Sequence, residues 1–239
     1  MSESQIQDNK LQMLGKLTAS LLHEIRNPLS AVKLNLDYLN MLQDEMNDEI
    51  RDSVNSCNDA VERMEFLVNS LLDFARKSQN CFEIGDINQI TENALEILQG
   101  ALQKRTITIE KQLDLSLPNF YFDRNKVLQV FINLISNATE AVNAHGKIKV
   151  STYRENQDNL EKLVWQIEDN GVGIKEEDQK KIFNDFYTSK DTGTGLGLSV
   201  CKRIIDEHSA EIALTSEFGK GTKFRLIFDP KLLRDKYED

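Results

Sequence analysis

Two apolar seams separated by a short polar run constrain this chain more than any other feature. The first runs Leu14, Leu17, Leu21, Ile25, Leu29, Val32, Leu36 and Leu39; the second runs Ile50, Val54, Cys57, Val61, Met64, Val68 and Leu71. Steps of three and four residues put each set on one narrow stripe of an α-helix. The polar residues 43–49 between them suffice for an antiparallel turn. Two such helices alone bury too little apolar surface to stand by themselves. Pairing two hairpins into a dimeric four-helix bundle removes that difficulty, so a homodimer is expected. An arm folded against the rest of the chain is the alternative.

The texture changes after residue 75. Residues 76–86 lose the seam and suit a linker, and beyond them helical and strand patterns alternate. Helices are expected over residues 88–102 and 124–142 and in a segment ending at His208. Strands are expected around Ile107 and Ile109, at 148–153 and 163–167, and at 211–215 and 222–228, the last two flanking a turn. Two domains follow, residues 1–78 and 79–239, and the fold class is α+β: a helical hairpin, then an α/β sandwich with helices on one face.

Composition narrows the function classes. The 239 residues carry 29 Lys and Arg against 39 Asp and Glu, a net charge of -10, which argues against bulk attraction to nucleic acid or anionic lipid. No apolar run approaches the ~20 residues of a membrane span, and the start has no basic-then-apolar leader pattern. Three scattered cysteines, Cys57, Cys81 and Cys201, make neither a disulfide framework nor a zinc site, so a reducing, cytoplasmic setting is expected.

Four clusters carry chemistry. His23-Glu24-Ile25-Arg26-Asn27-Pro28 lies on the first helix, with His23 off the apolar stripe and Asn27 one turn on. Pro28 withholds a donor and crowds that turn, so a bend is expected there. An exposed imidazole beside a carboxylate can serve as a nucleophile. On the later long helix, Asn133 and Asn137 project from one face, and amide oxygens suit Mg²⁺ shared with phosphates. Asp169-Asn170-Gly171-Val172-Gly173 follows a strand; its carboxylate can accept from an exocyclic amine, and its glycines let backbone approach a flat ligand. Gly193-Thr194-Gly195-Leu196-Gly197 precedes a helix, where free amides and the helix dipole favour an anion. It is neither a Walker loop nor a dinucleotide fingerprint, lacking both the Gly-Lys-Ser/Thr ending and a preceding strand. The stretch from Phe183 to Thr192 offers two apolar anchors and then a polar segment suited to a lid.

In order and spacing these clusters resemble the transmitter core of bacterial two-component sensor histidine kinases. His23 to Pro28 is similar to the phosphoacceptor motif, Asn133 to Ala141 to the N box, and Asp169 to Gly173 to the first glycine box. Phe183 to Phe186 resembles the F box, Gly193 to Gly197 the second glycine box, and Gly219 to Phe224 the terminal GxGTxF strand. The short lid and the Asn-Ala-Thr-Glu-Ala ending resemble the nitrogen-regulation subclass. The resemblance implies an ATP-binding domain of the histidine kinase, heat-shock and gyrase superfold, with ATP and Mg²⁺ as ligands and a response-regulator receiver domain as partner. It implies that His23 takes the phosphoryl group, that Glu24 accepts the ring proton, and that Asn27 aligns a water for regulator dephosphorylation. It further implies that Asn137 ligates Mg²⁺ with support from Asn133, and that Asp169 binds the adenine amine in a pocket shaped by Gly171, Gly173 and Thr222. Gly193, Gly195, Leu196 and Gly197 would supply lid hinges and phosphate-facing backbone, and Lys190 would neutralise charge. ATPases of the same superfold place a water-activating glutamate where this chain has Asn133, so transfer to histidine is favoured over hydrolysis. An ATP-binding scaffold without turnover, and a core in which regulator dephosphorylation dominates, are the alternatives. His145 and His208 are expected at the surface or at helix ends, with no role.

Overall fold

The computed structural model describes Ile25 and residues 27–42, 46–75, 81–157, 160–189 and 195–237, with backbone alone at 59, 62, 63, 65–75 and 157. Contacts divide the chain into two units, Met1–Ser78 and Gln79–Asp239.

In the first unit, α1 (residues 27–41) and α2 (Asp48–Ala75) form a hairpin. Helix continues through Pro28. Leu29 and Leu36 of α1 bury with Val54 and Val61 of α2, and Leu39 and Met46 pack against them. Asn58 Nδ2 donates to Asn40 Oδ1 at 2.9 Å, tying the two helices beside that cluster. Each seam therefore splits in two. Positions 29, 36, 54 and 61 close the hairpin, whereas Ile25, Val32, Ile50, Cys57 and Met64, again seven apart on each helix, stay exposed. Among the described residues, each helix therefore keeps a second, uncovered apolar stripe beside the covered one.

The second unit is a mixed sheet under a layer of helices. Its elements are β1 (Glu83–Gly85), α3 (Ile87–Ile97), α4 (Gln99–Lys104), β2 (Thr108–Leu113), β3 (Phe120–Phe122), α5 (Arg124–Ala141), β4 (Lys147–Gln157), β5 (Leu160–Asp169), α6 (Glu176–Gln179), α7 (Gly197–Glu207), β6 (Glu211–Glu217), β7 (Gly221–Phe228) and α8 (Pro230–Tyr237). The five-stranded sheet has the order β2-β4-β5-β7-β6, and only β2 and β4 run parallel. Period-two alternation decides its faces. Leu163, Trp165 and Ile167 of β5 sit opposite Phe228, Leu226 and Phe224 of β7 and are buried with α3, α5 and α7. Trp165 stacks on Phe131 of α5 with ring centroids 4.1 Å apart, and its indole N–H donates to Thr91 of α3 at 3.0 Å. The other face carries cross-strand charges such as Lys223–Glu168 at 3.1 Å, and no helix is needed to cover it.

Several elements depart from the expectation. The supposed linker ends in β1, which pairs antiparallel with β3, neither of them an expected strand; three-residue strands are too short to display alternation. The helix over 88–102 breaks at Leu98 into α3 and α4. Its true start is Asp86, whose carboxylate accepts from Asn88 N at 2.8 Å. The polar run 154–162 is mostly strand: Arg154 to Gln157 of β4 pair with Leu160 to Leu163 of β5, and Arg154 forms an ion pair with Glu161 across the ladder. The final helix α8 was not expected; it buries Leu233 and stacks Tyr237 on Phe82 at 3.8 Å.

Candidate functional site

Asp169 ends β5 on the face turned toward the helices, directly opposite Thr222 at the start of β7. Only 7% of the residue's surface is exposed, and Oδ1 accepts the Gly171 N–H at 2.8 Å. Burial raises the carboxyl above its ordinary range, while the Gly171 and Thr222 amides pull it back. This is a desolvated acceptor rather than a surface acid.

Glycine is required around it because backbone passes too close for a side chain. A Cβ on Gly171 would lie 2.4 Å from the Ala141 carbonyl oxygen, one on Gly173 2.1 Å from that of Glu217, and one on Gly221 2.0 Å from that of Asp169. Gly173 also has φ +67°, the left-handed region. Val172 N donates to Ala141 O at 3.1 Å, and Gly219 N donates to Val172 O at 2.7 Å. The loop is thereby pinned between the end of α5 and the β6–β7 turn.

That pinning brings the asparagines into register. Asn137 lies one turn before Ala141 and is half-buried; Asn133 lies one turn further back and is buried. Asn133 faces α7: its amide bonds the Cys201 thiol, whose complete burial pushes it up to about 12. Asn133 Oδ1 comes within 3.5 Å of where a Cβ on Gly197 would stand. Gly197 opens α7, so the start of that helix rests on the Asn133 side chain. Gly195, at φ +67°, packs on the backbone of Phe186 and Tyr187, where a Cβ would meet the Phe186 carbonyl carbon at 2.3 Å. The Phe183 ring meets Phe224 edge-on at 6.4 Å, anchoring the start of the 183–189 segment. A hydrogen bond to Asp178 raises the Tyr187 phenol to about 12. Leu196 is buried, at 1% exposure, so it can offer a ligand only its backbone.

The second unit thus gathers Asp169, Gly171, Gly173 and Thr222 beside the end of α5, sets Gly197 against Asn133, and seats Gly195 on the backbone of Phe186; Asn137 lies one turn before Ala141 on α5. His23, Glu24, Lys190 and Gly193 lie outside the described residues; Asn27 is exposed on α1, away from the buried cluster. Among the described residues no group of three His, Cys, Asp or Glu side chains gathers into a metal cage. The donors near the site are amide oxygens, which suit a hard cation whose remaining shell comes from phosphate and water. A surface groove of about 500 Å³ runs along the outer face of α7 past Phe183 and Asp185, but none of Asn133, Asn137, Asp169 or Thr222 lines it. The convergence of glycines and acceptors, rather than that groove, marks the candidate site.

Sequence reasoning missed two residues here. Ser216 accepts from Ile174 N at 2.8 Å, and Gln179 Nε2 donates to both Ile174 O and Ser216 O at 3.0 Å. Both hold the first glycine loop to β6. A lone serine at a strand end carries no signal of that in the sequence. His208 is a helix-end residue as expected but not a surface one: it is fully buried, its Nε2 accepts the Asp123 N–H at 3.0 Å, and burial lowers its pKa.

Residues 13–80 match the family described as the His Kinase A (phospho-acceptor) domain, and residues 122–232 match the histidine kinase-, DNA gyrase B- and HSP90-like ATPases. The chain is 34% identical over 92% of its length to the signal transduction histidine-protein kinase AtoS of Escherichia coli (strain K12), covering 36% of that protein. It is 30% identical to the solved catalytic domain of the histidine kinase ThkA, with a TM-score of 0.55 over 64% of this chain and 97% of that one. The structure of ThkA in complex with the response regulator protein TrrA matches 95% of this chain and 65% of that one, at 26% identity and a TM-score of 0.65. The chain spans about a third of the length of AtoS and of sporulation kinase E of Bacillus subtilis. Among the described residues no helix is long and apolar enough to cross a membrane.

Proposed function

The chain belongs to the histidine kinases, and from that premise we propose that it moves the γ-phosphoryl group of ATP to His23 and then to an aspartate of a response regulator. The observation that carries the reading is the Asp169–Thr222 pair, floored by Gly171, Gly173 and Gly221 beside the asparagine face of α5. It fits an adenine whose exocyclic amine donates to the carboxylate. Asn137 would hold Mg²⁺, and Asn133 would support it by setting the start of α7. Mg²⁺, when bound, neutralises phosphate charge and orients the transferred group. Lys190 adds a cation, while Gly193, Gly195, Leu196 and Gly197 contribute lid hinges and backbone amides.

Phosphoryl transfer needs positioning and electrostatics more than covalent chemistry. A ring nitrogen of His23 attacks the γ-phosphorus in line; the N–P bond forms as the bond to the β,γ-bridging oxygen breaks, and ADP leaves. Glu24 holds the other ring nitrogen and takes its proton. Transfer onward forms an acyl phosphate on the regulator and frees the imidazole. Asn27 aligns the water that hydrolyses it, a regulator phosphatase activity in the same site. The half-covered heptads of α1 and α2 support a homodimer in which a second hairpin seals Ile25, Val32, Ile50 and Met64. A cytoplasmic location and the nitrogen-regulation subclass belong to this same reading.

Incubation with γ-labelled ATP and Mg²⁺ should give an acid-labile, base-stable phosphoprotein that His23→Ala abolishes. Labelling that survives His23→Ala refutes the assignment. Asn27→Ala should keep autophosphorylation and lose regulator dephosphorylation.

A further inference from the structure

The Ser216 side chain has a hydrogen-bond arrangement more specific than loop packing requires. Its Oγ accepts the Ile174 N–H at 2.8 Å, donates to the Gly221 carbonyl at 2.9 Å and lies 3.0 Å from Thr222 Oγ1. A serine hydroxyl has one proton and two lone pairs. The Gly221 carbonyl has no proton to give, so the serine proton goes there. The Ile174 amide fills one lone pair. What remains for Thr222 is the second lone pair, and the Thr222 hydroxyl must therefore spend its own proton on Ser216. Its free lone pairs are then all that it can offer a ligand.

Thr222 is the cross-strand partner of Asp169, and directly opposed residues on one sheet face have Cβ atoms roughly 4.5–5.5 Å apart. Two neighbouring groups, a carboxylate and a hydroxyl held as an acceptor, then confront the same edge of a bound base. Such an edge must present hydrogens, as the 6-amine of adenine does; a 6-carbonyl would face lone pairs with lone pairs. We propose that Ser216 is a positioning residue for nucleobase specificity: by taking the Thr222 proton it fixes Thr222 as an acceptor and rejects 6-oxopurine nucleotides. The inference rests on the adenine-site reading above. Gln179 supports it from the other side, since its amide holds the Ser216 and Ile174 carbonyls together.

Inosine triphosphate is the probe, because it differs from ATP at the 6-position by carbonyl for amine and carries the resulting proton on N1. Dissociation constants for ATP and for inosine triphosphate are measured with Mg²⁺ on the full chain, its Ser216→Ala and Ser216→Thr variants, and Asp169→Asn. Freed to rotate in Ser216→Ala, the Thr222 hydroxyl can donate to a 6-carbonyl. The preference for ATP should fall about five- to tenfold, with inosine triphosphate binding gaining, and Ser216→Thr should restore it. Equal weakening of both nucleotides in Ser216→Ala, leaving the ratio at the wild-type value, overturns the positioning role. If Asp169→Asn binds ATP like the wild type, the adenine-site reading itself fails, whatever Ser216→Ala does. Thr222→Val guards against a poorly folded Ser216→Ala. It should lose the same preference, and adding Ser216→Ala to it should change the ratio no further; an additional drop refutes action through Thr222.

Discussion

Asp169→Asn separates binding from folding. One carboxylate oxygen already holds the Gly171 N–H at 2.8 Å, and the asparagine carbonyl can keep that bond. The other oxygen becomes an NH₂, so the acceptor proposed for the adenine amine turns into a second donor. Losing one charge-assisted hydrogen bond weakens ATP by about 1.5–3 kcal/mol, roughly ten- to a hundredfold in Kd. Stability carries two opposed contributions, because the Thr222 N–H that also bonds the carboxyl is put at risk while a buried charge is removed. Burial raises the Asp169 carboxyl above the ordinary 3.8. A raised folded-state pKa contributes stability that is present below the unfolded value and lost as pH rises through the folded one. At neutral pH the ionised carboxylate is therefore a liability that asparagine lacks. Calorimetric titration with ATP and thermal unfolding at neutral and mildly acid pH test both halves. Relative to wild type, Asp169→Asn should gain in unfolding temperature as pH rises from mildly acid to neutral. A variant that loses ground as pH rises, or that binds ATP normally, would refute the reasoning.

Val32→Glu puts a charge on the exposed heptad stripe and leaves the Leu29, Leu36, Val54 and Val61 cluster intact. Sedimentation should show dimer giving way to monomer, since an unpaired charge buried in an interface costs several kcal/mol; an unchanged dimer contradicts the bundle. Gly173→Ala forces a left-handed backbone on alanine and a Cβ within 2.1 Å of the Glu217 carbonyl. At least about 1–2 kcal/mol of stability should be lost from the second unit, with ATP binding reduced and dimerisation untouched. His208 is lowered by burial, so its contribution is complete above its unfolded value of 6.5 and is lost as pH falls through the folded one. Asp123 and Glu207 oppose that lowering and Lys126 assists it. His208→Gln should unfold below wild type at about pH 7.5 and approach it at about pH 5.5; a constant gap refutes the titration.

The legible parts of the molecule were those with long-range periodicity or special backbone chemistry. Seven-residue spacing exposed the hairpin, and β5 and β7 were visible because Trp165, Ile167, Phe224 and Leu226 alternate with polar residues. The glycines stood out because glycine tolerates the close approaches at 171, 173 and 221. What stayed hidden depends on tertiary partners. β1 exists because β3 is beside it, and α8 because Phe82 offers Tyr237 a ring to stack on. Asn133 reads as a phosphate-side amide in sequence, whereas the fold sets it between Cys201 and Gly197 as the rest on which α7 begins. Ser216 has no local signature, since its role arises only when Ile174, Gly221 and Thr222 converge on one hydroxyl.

The central claim is that a nucleotide held by Asp169 in one unit is spent on His23 in the other. Mapping the phosphorylated residue by mass spectrometry at neutral pH, after incubation with ATP and Mg²⁺, tests it most directly. One phosphoryl group on the peptide carrying His23, its initial yield at sub-saturating ATP falling roughly ten- to a hundredfold when Asp169→Asn replaces the wild type, is the predicted result. A phosphoryl group on a serine, threonine or other histidine, or one on His23 whose yield ignores Asp169, would contradict the account.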